Sequence, residues 1–244
     1  MSKRVSNVER ALASFSVGPD TRYLYRIMPL RHVVDLFETR ELHFASPSTW
    51  DDPYEQILQH RGTKSIFAQC WCKRAVSDAM WRIYSPDRMA VRIRSSKIRF
   101  ASLAARIKAT FHSSFKLGEV TYRPPSSVDG QLADVAGELK RRFTMTRATD
   151  ALFIKRDAFD YEDEVRAIVY AEPKTGAPLS SSFRVRIDPH DFVESILFDP
   201  RADATYVKMC THYLKEVLNF EGPIGRSVLY RANMIHIPDG SSTQ

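Results

Sequence analysis

Two glutamates separated by a single residue are the first candidates for chemistry in this sequence. Glu162 and Glu164 stand at the head of the apolar run VRAIVYA, which is typical of a β-strand. Alternate side chains of a strand point to one face, so the two carboxylates are expected to lie side by side. One carboxylate of such a pair can stabilise a positive charge that develops in a reaction, while the other activates an acceptor group. The spacing therefore makes Glu162 and Glu164 candidate catalytic residues, to be weighed against a structural role.

A structural account of the same glutamates stays open. Arg166 falls on the predicted strand face of Glu162 and Glu164, because it follows them with the same period of two. Oppositely charged side chains in that arrangement form a ladder of ion pairs. The motif is thus compatible with either a catalytic or a structural role.

A turn and a short helix supply further candidates for ligand contact. The segment SPSTWDDPYE is dense in Pro, Ser and Asp, as a structured turn is. Asp52 in this turn is expected either to cap backbone amides and fix Tyr54 or to take part in a site. Trp81 and Tyr84 stand three residues apart on a predicted helix, and they suit either the core or a stacking contact with a planar ring.

Positive charge is concentrated in the middle of the chain. The net charge is +7, and no Asp or Glu occurs between Arg88 and Gly118. Such a region attracts polyanions, so RNA, DNA or an acidic protein surface is an expected partner, with a solvated basic face as the alternative. The nucleic-acid-binding candidates are Arg92, Arg94, Lys97, Arg99, Arg106 and Lys108.

Metal chemistry has the necessary residue types but no matching motif. Five carboxylates are enough for a magnesium-dependent nuclease site: Asp51, Asp52, Glu55, Glu162 and Glu164. Cys70 and Cys72, with His60 nearby, lack the four-ligand spacing of a zinc site and are expected on one face of a buried strand. We therefore expect no bound metal.

Composition indicates an ordinary globular chain. Hydrophobic residues make up 43% and charged residues 27% of the sequence, which is enough apolar area for a sizeable core. No apolar run approaches the roughly 20 residues of a membrane-spanning helix, and the first residues lack the apolar centre of a signal peptide. Three cysteines suit a reducing compartment. We expect a cytoplasmic protein without a membrane partner, in an oligomeric state that the sequence leaves open.

The order of elements favours an α+β fold. Strands alternate irregularly with helices of unequal length, and no Gly-rich phosphate loop occurs. We predict a mixed or antiparallel sheet with flanking helices in one domain over 21–238, after a lead-in at 1–20 and before a flexible tail at 239–244. Strands are predicted at 23–28, 41–45, 65–72, 89–94, 165–171, 183–187 and 193–199, with a last strand near 227–230. Helices are predicted at 30–41, 131–147 and 203–219, and 96–117 forms either one helix or a strand and a helix.

Several of these segments together resemble the bacterial and phage domain-of-unknown-function family 2971. The motifs that carry the resemblance are Ser46-Pro47, Trp50-Asp51-Asp52-Pro53-Tyr54 and Tyr161-Glu162-Asp163-Glu164-Val165-Arg166. The resemblance covers most of the chain from Tyr23 to Asp199. Asp51 stands where the family usually has Asn, and the segment SPDRMAVRI lacks a Gly that the family tends to place there. This family implies no settled activity.

A looser resemblance is to the ADP-ribosyltransferases, which carry an Arg or His, then a Ser or Tyr, then a Glu on successive strands. Arg26, Ser46 and Glu164 follow that order. The resemblance implies an ADP-ribosyltransferase-like fold and NAD as substrate, with Arg26 on its phosphates or ribose and Ser46 on its nicotinamide half. Glu164 would stabilise the oxocarbenium-like state, and a toxin or phage-defence role acting on a nucleic acid or protein would follow. The NAD-binding set it suggests is Arg26, Ser46, Asp52, Tyr54, Trp81 and Tyr84.

A function of another class fits the same sequence. The chain is alternatively a non-catalytic or metal-dependent nucleic-acid-binding module in which the basic residues matter. In that case Glu162 and Glu164 are structural. The two interpretations differ in geometry, because the first requires Arg26, Ser46 and Glu164 to line one cleft.

Overall fold

Strands of one large mixed sheet form the centre of the molecule. The computed structural model describes residues 6–75, 77–172 and 182–232, and within them nine strands make up this sheet and two make up a small second one. The strands are β1 Tyr23–Pro29, β2 Glu41–Ala45, β3 Ile66–Cys72, β4 Ala90–Ser96, β5 Ser114–Glu119, β6 Thr121–Arg123, β7 Ile154–Arg156, β8 Glu164–Tyr170, β9 Ser182–Arg186, β10 Ser195–Phe198 and β11 Ile224–Arg226. All strand pairs of the large sheet are antiparallel except β10 with β11.

Helices flank this sheet, which confirms the predicted α+β class. They are α1 Asn7–Ala13, α2 Leu30–Thr39, α3 Asp78–Tyr84, α4 Lys97–Phe111, α5 Pro125–Arg141, α6 Met145–Asp150, α7 Pro189–Phe192 and α8 Ala204–His212, the last continuing as a π-helical turn over Tyr213–Val217. The predicted lead-in contains α1, whose first turn is held by a capping box between Ser6 and Glu9. The predicted tail at 239–244 lies outside the described residues.

Local capping explains where the predicted elements needed correction. The predicted helix 131–147 corresponds to two helices. The first, α5, begins earlier, with Pro125 in its first turn. The second, α6, is separate because Thr144 caps a new N-terminus. Residues 96–117 are a helix followed by a strand, since His112 ends α4 with a left-handed φ of 54°. The predicted last strand at 227–230 is wrong: β11 ends at Arg226.

The large sheet opens along one edge of β3. On its other edge β3 pairs with β8 over seven residues. On the open edge β1 pairs with it only at Tyr25 and Cys72, and β2 pairs with it only at Ala45 and Ala68. No other described strand pairs with β3 between these two points, and β1 instead pairs fully with β4. The sheet is therefore split into two halves that β3 joins.

One hydrophobic core holds the two halves together. Trp71 of β3, Phe100 of α4 and Phe192 of α7 are buried and meet edge to face, with ring centroids 5.1 to 6.0 Å apart. Such aromatic contacts add to the stabilisation from burial alone. Within the described ranges, no helix is both long enough and apolar enough to cross a membrane.

Candidate active site

A cleft of about 570 Å³ occupies the opening between β1 and β3. Its walls include Arg26 of β1, Cys70 of β3 and Tyr84 of α3, and its floor includes Glu162 and Glu164. The volume lies within the range of about 300–1,000 Å³ that is usual for ligand pockets. The split of the sheet thus places polar and charged side chains around one cavity, which we call the cleft.

Strand register places the residues of the cleft floor. Cys72 lies opposite Glu164, and Cys70 lies opposite Arg166, so these four side chains share one face of the sheet. Tyr25 of β1 continues the same row beyond Cys72. The expectation that the two cysteines share a strand face is confirmed, and that face lines the cleft.

Glu162 lies at the end of a helical turn and not on the predicted strand. It ends a 3₁₀-helix over Asp157–Glu162, and β8 begins only at Glu164. Asp163 between them has a left-handed φ of 45°. The expected strand alternation of the two glutamates is therefore wrong. The tight turn nevertheless leaves both carboxylates close to Lys155, with oxygen to Nζ distances of 2.6 Å for Glu162 and 3.5 Å for Glu164.

Five charged side chains form a buried cluster at the cleft floor. Lys155 contacts Glu162 and Glu164 and lies 3.6 Å from Glu55. Arg166 donates two hydrogen bonds of 2.8 Å to Glu164 and another to Glu55. All five side chains are at most 8% exposed. Burying so many charges is costly even when they are paired, so the cluster is a functional candidate as well as a structural one.

The environment separates the pKa values of the two glutamates. Burial by itself raises the pKa of Glu164, but the charge and hydrogen bonds of Arg166 and the charge of Lys155 outweigh it and lower the pKa to about 2. Burial raises the pKa of Glu162, and the hydrogen bond from Lys155 only partly opposes this effect. Glu164 is therefore a permanent anion, whereas Glu162 is the better proton acceptor.

Aromatic side chains enclose this carboxylate pair. Tyr84 donates a hydrogen bond of 3.3 Å to Glu162, and the backbone N–H of Glu164 donates one of 2.9 Å to the hydroxyl of Tyr122. The ring of Trp50 lies 4.5 Å from the guanidinium carbon of Arg166. Burial raises the pKa of both tyrosines, which keeps their hydroxyls protonated. The carboxylates thus face the cleft from a buried surround of paired charges and aromatic rings.

Arg26 stands in the cleft without an internal partner. Its side chain is half-buried and forms no hydrogen bond or ion pair with any described residue. Burial lowers the pKa of its guanidinium group, and the nearby Cys70 and Tyr84 oppose that shift. A half-buried cation without a partner is unfavourable unless a ligand supplies the opposite charge.

The other predicted NAD contacts divide between the cleft and its surroundings. Asp52 and Tyr84 line the cleft, whereas Ser46, Tyr54 and Trp81 do not. Ser46 is buried and caps a 3₁₀-turn with its hydroxyl 2.8 Å from that of Ser48. Trp81 is only 1% exposed and belongs to the interior. Tyr54 instead stacks against Arg156, which pairs with Asp52 at 3.0 Å.

The six basic residues of the middle segment do not form one exposed surface. Arg92, Arg94, Lys97 and Arg99 are half-buried, and only Arg106 and Lys108 are exposed. Arg94 and Arg99 both lie beside Glu194, and Lys97 donates to the carbonyl of Gly18. Arg92 and Arg94 share one face of β4, whereas the other four residues lie on α4. Glu194 and Asp191 neutralise part of the expected positive field.

The sequence patterns did not predict that Lys155 and Glu55 belong to a buried charged cluster. Lys155 belongs to no predicted site, and Glu55 was expected only as one of several possible metal-binding carboxylates. The sole sequence signal for Lys155 is its place in the segment LFIKRDAFDYEDE just before the glutamates. No group of three or more His, Cys, Asp or Glu residues arranged to hold a metal occurs within the described ranges.

Comparison with known proteins gives little beyond these observations. No family model matches the chain, so the resemblance to the domain-of-unknown-function family 2971 rests on its motifs alone. No curated protein matches it either. Among solved structures, DarT from Thermus sp. 2.9 in complex with NAD+ aligns with a TM-score of 0.40 and 11% identity, over 86% of this chain and 98% of that chain. At that distance the likeness carries no conclusion about activity.

The depressed pKa of Glu164 predicts an acid-sensitive fold. The contribution of its charge is complete above the ordinary pKa of 4.5 and is lost as the pH falls toward about 2. A shift of this size corresponds to about 3 kcal/mol of unfolding free energy. We expect urea unfolding from pH 6 to 2 to show wild type losing its advantage over Glu164→Gln in that window. Glu41→Gln, at an exposed carboxylate, should follow wild type, and a constant difference between wild type and Glu164→Gln would contradict the assignment.

Proposed function

We propose that this protein is an NAD-consuming, ADP-ribosyltransferase-like enzyme and that the cleft is its active site. The observation that carries the proposal is the meeting of an unpartnered cation, Arg26, with a permanently anionic Glu164 in one cavity. NAD carries a charge that complements each residue: its diphosphate is negative, like the ligand expected at Arg26, and its nicotinamide ring is positive, as a partner of Glu164 should be. The size of the cavity, about 570 Å³, is suitable for a ligand of this class.

Arg26 is the proposed anchor for the diphosphate of NAD. Its planar guanidinium group forms charge-assisted hydrogen bonds with phosphate oxygens, often two at a time. No described carboxylate competes for it, since the acidic residues of the floor are already paired with Lys155 and Arg166. The dinucleotide would therefore lie with its phosphates at β1 and its nicotinamide ribose toward β8.

Glu164 and Glu162 have different proposed roles in the reaction. The bond between the ribose C1′ and the nicotinamide nitrogen breaks, and its electron pair leaves with neutral nicotinamide. Positive charge develops on the ribose, and the anionic Glu164 stabilises it. The acceptor then forms a bond to C1′ and releases a proton. Glu162, whose pKa is raised, is the proposed recipient of that proton.

The proposed acceptor is a nucleic acid or a protein, and a toxin or phage-defence role would suit the activity. Ile83 and Tyr84 line the cleft and are 48% and 42% exposed. Exposed apolar side chains at a cavity mouth provide contact area for a partner. A binding module without catalysis remains the competing function, and it predicts affinity for RNA or DNA that falls steeply with added salt and survives Glu164→Gln.

Removing Arg26 should weaken NAD binding without harming the fold. We expect Arg26→Met to raise the dissociation constant for NAD by about 10- to 100-fold, because a charge-assisted hydrogen bond to phosphate contributes about 1.5–3 kcal/mol. Isothermal titration calorimetry measures the constant, and the melting temperature should not fall because Arg26 has no internal partner to lose. Arg31→Met, at an exposed position of α2, is the matched control. Equal NAD affinity in Arg26→Met and Arg31→Met would contradict the proposed anchor.

A further inference from the structure

A second cavity, of about 650 Å³, lies between the helices α1 and α4 and the strand β5. We call it the α1–α4 groove. Its volume also lies within the range of about 300–1,000 Å³ that is usual for ligand pockets. Tyr170 lines the groove and ends β8, whereas Glu164 begins that strand. Six residues of extended chain, about 20 Å, therefore separate the groove from the floor of the cleft.

Two accessible cations line this groove. Arg10 belongs to α1 and Lys108 to α4, and both side chains are exposed. Neither side chain forms a hydrogen bond or an ion pair with a residue in the described ranges. No described carboxylate lines the groove either. Both charges are therefore free to meet a ligand that enters from solvent.

The sequence around each cation explains why both remain unpaired. On an α-helix, a charged side chain pairs most readily with a residue three or four positions away. No Asp or Glu stands at any of these positions around Arg10 or Lys108. The groove consequently has a positive potential on the walls formed by both helices, which attracts an anionic ligand.

Several hydrogen bonds hold α1 at the groove. None of the residues of this short helix is buried, so the helix would be marginal on its own. After α1, the backbone N–H of Ser16 donates 2.9 Å to the carbonyl of Leu117, and that of Glu119 donates 2.9 Å to the carbonyl of Ser16. The backbone N–H of Gly18 donates 2.7 Å to the carboxylate of Glu119. These bonds tie α1 to β5, so the groove is a fixed part of the fold.

Small and aromatic side chains complete the lining of the groove. Ala11 of α1 and Ala109 of α4 leave it open, because each has only a methyl group. Tyr170 and Phe115 line it and are half-buried. An apolar lining with aromatic rings and a few charged groups is typical of a site for a small molecule. Rings beside cations suit a ligand that has both a planar ring and a negative charge.

We propose that the α1–α4 groove binds a nucleoside phosphate. Its phosphate oxygens accept hydrogen bonds from the planar guanidinium group of Arg10 and from the ammonium group of Lys108. Its base packs against Tyr170. This site goes beyond the proposed function, because it is separate from the cleft and does not depend on the consumption of NAD.

Calorimetric titration with ADP tests this site. Arg26→Met serves as the parent protein, so that the proposed anchor in the cleft does not contribute to binding. Adding Arg10→Met or Lys108→Met should raise the dissociation constant for ADP by about 10- to 100-fold, the usual effect of losing a charge-assisted hydrogen bond. Lys208→Met removes an exposed lysine of α8 that does not line the groove, so it should leave the constant unchanged.

Filling the groove gives a second measurement that removes no charge. Ala109→Trp adds a large ring at an exposed position of α4, so it should abolish ADP binding and keep the melting temperature of its parent. Adenosine and inorganic phosphate, each with part of the contacts, should both bind more weakly than ADP.

Three results would overturn the proposed site. The first is no binding of ADP to the Arg26→Met parent. The second is an equal affinity for ADP after Arg10→Met and after Lys208→Met are added. The third is binding of a single-stranded oligonucleotide without binding of ADP, which would contradict a nucleoside phosphate as the ligand.

Discussion

Replacing Glu164 by glutamine should lower the rate of nicotinamide release from NAD by about 10²- to 10³-fold, which is typical for the loss of a group that stabilises transition-state charge. The variant keeps the size of the side chain and its hydrogen-bonding oxygen but lacks the negative charge that faces the ribose. Affinity for NAD should change much less, since Arg26 is the proposed anchor. Release is measured on purified protein with and without added RNA, DNA or cell lysate, so that an acceptor is not limiting.

A matched variant separates the catalytic effect from a general loss of charge. Glu119→Gln removes a carboxylate that pairs with Lys73 at 2.7 Å and does not line the cleft, so it should release nicotinamide at the wild-type rate. Circular dichroism must show folded protein for both variants. Equal rates in Glu164→Gln and wild type would remove Glu164 from the reaction. No release by wild type under any condition would favour the binding module instead.

Replacing Arg166 by methionine should destabilise the protein by about 3–5 kcal/mol, the usual cost of removing one partner from a buried ion pair. Arg166 is fully buried, and it holds both Glu55 and Glu164. Its loss leaves two carboxylates enclosed with only Lys155 nearby. Urea unfolding monitored by tryptophan fluorescence gives the free energy of unfolding.

The control for this stability effect is an arginine in an exposed pair. Arg184 lies 3.3 Å from Glu41, and the two side chains are 52% and 40% exposed, so Arg184→Met should cost less than about 1 kcal/mol. If Arg166→Met lowers the free energy of unfolding by no more than Arg184→Met does, Arg166 does not hold the cluster together. A loss confined to Arg166→Met would support the buried network.

Local sequence patterns were sufficient for most strands and helices. Runs of apolar and aromatic residues marked β1, β3 and β8. The predicted boundaries of helices and strands were wrong where an element ends at an unusual backbone conformation that no residue type marks. The left-handed turns at His112 and Asp163 are examples, because neither residue is a glycine and nothing in the local pattern announces them.

The candidate site was only partly predictable because its residues meet through the tertiary fold. Arg26 and the glutamates were identified from residue type and order, and the structure brings them to one cleft. Lys155 and Glu55 lie about 100 residues apart in the sequence, yet both contact the same cluster. Their contacts depend on how β7 and a 3₁₀-turn pack beside β8, which no short pattern encodes. Ser46 fits the order of residues but is occupied in capping a turn.

A crystal structure of the protein with NAD would test the central claim most directly. The account predicts NAD in the cleft between β1 and β3, with a phosphate oxygen in hydrogen-bond distance of Arg26. It also predicts the nicotinamide ribose within hydrogen-bond distance of a Glu164 oxygen, where the carboxylate can stabilise the charge that develops on the ribose. NAD bound elsewhere, or a cleft that stays closed to NAD at saturating concentration, would contradict the assignment of this cleft as an NAD-consuming active site.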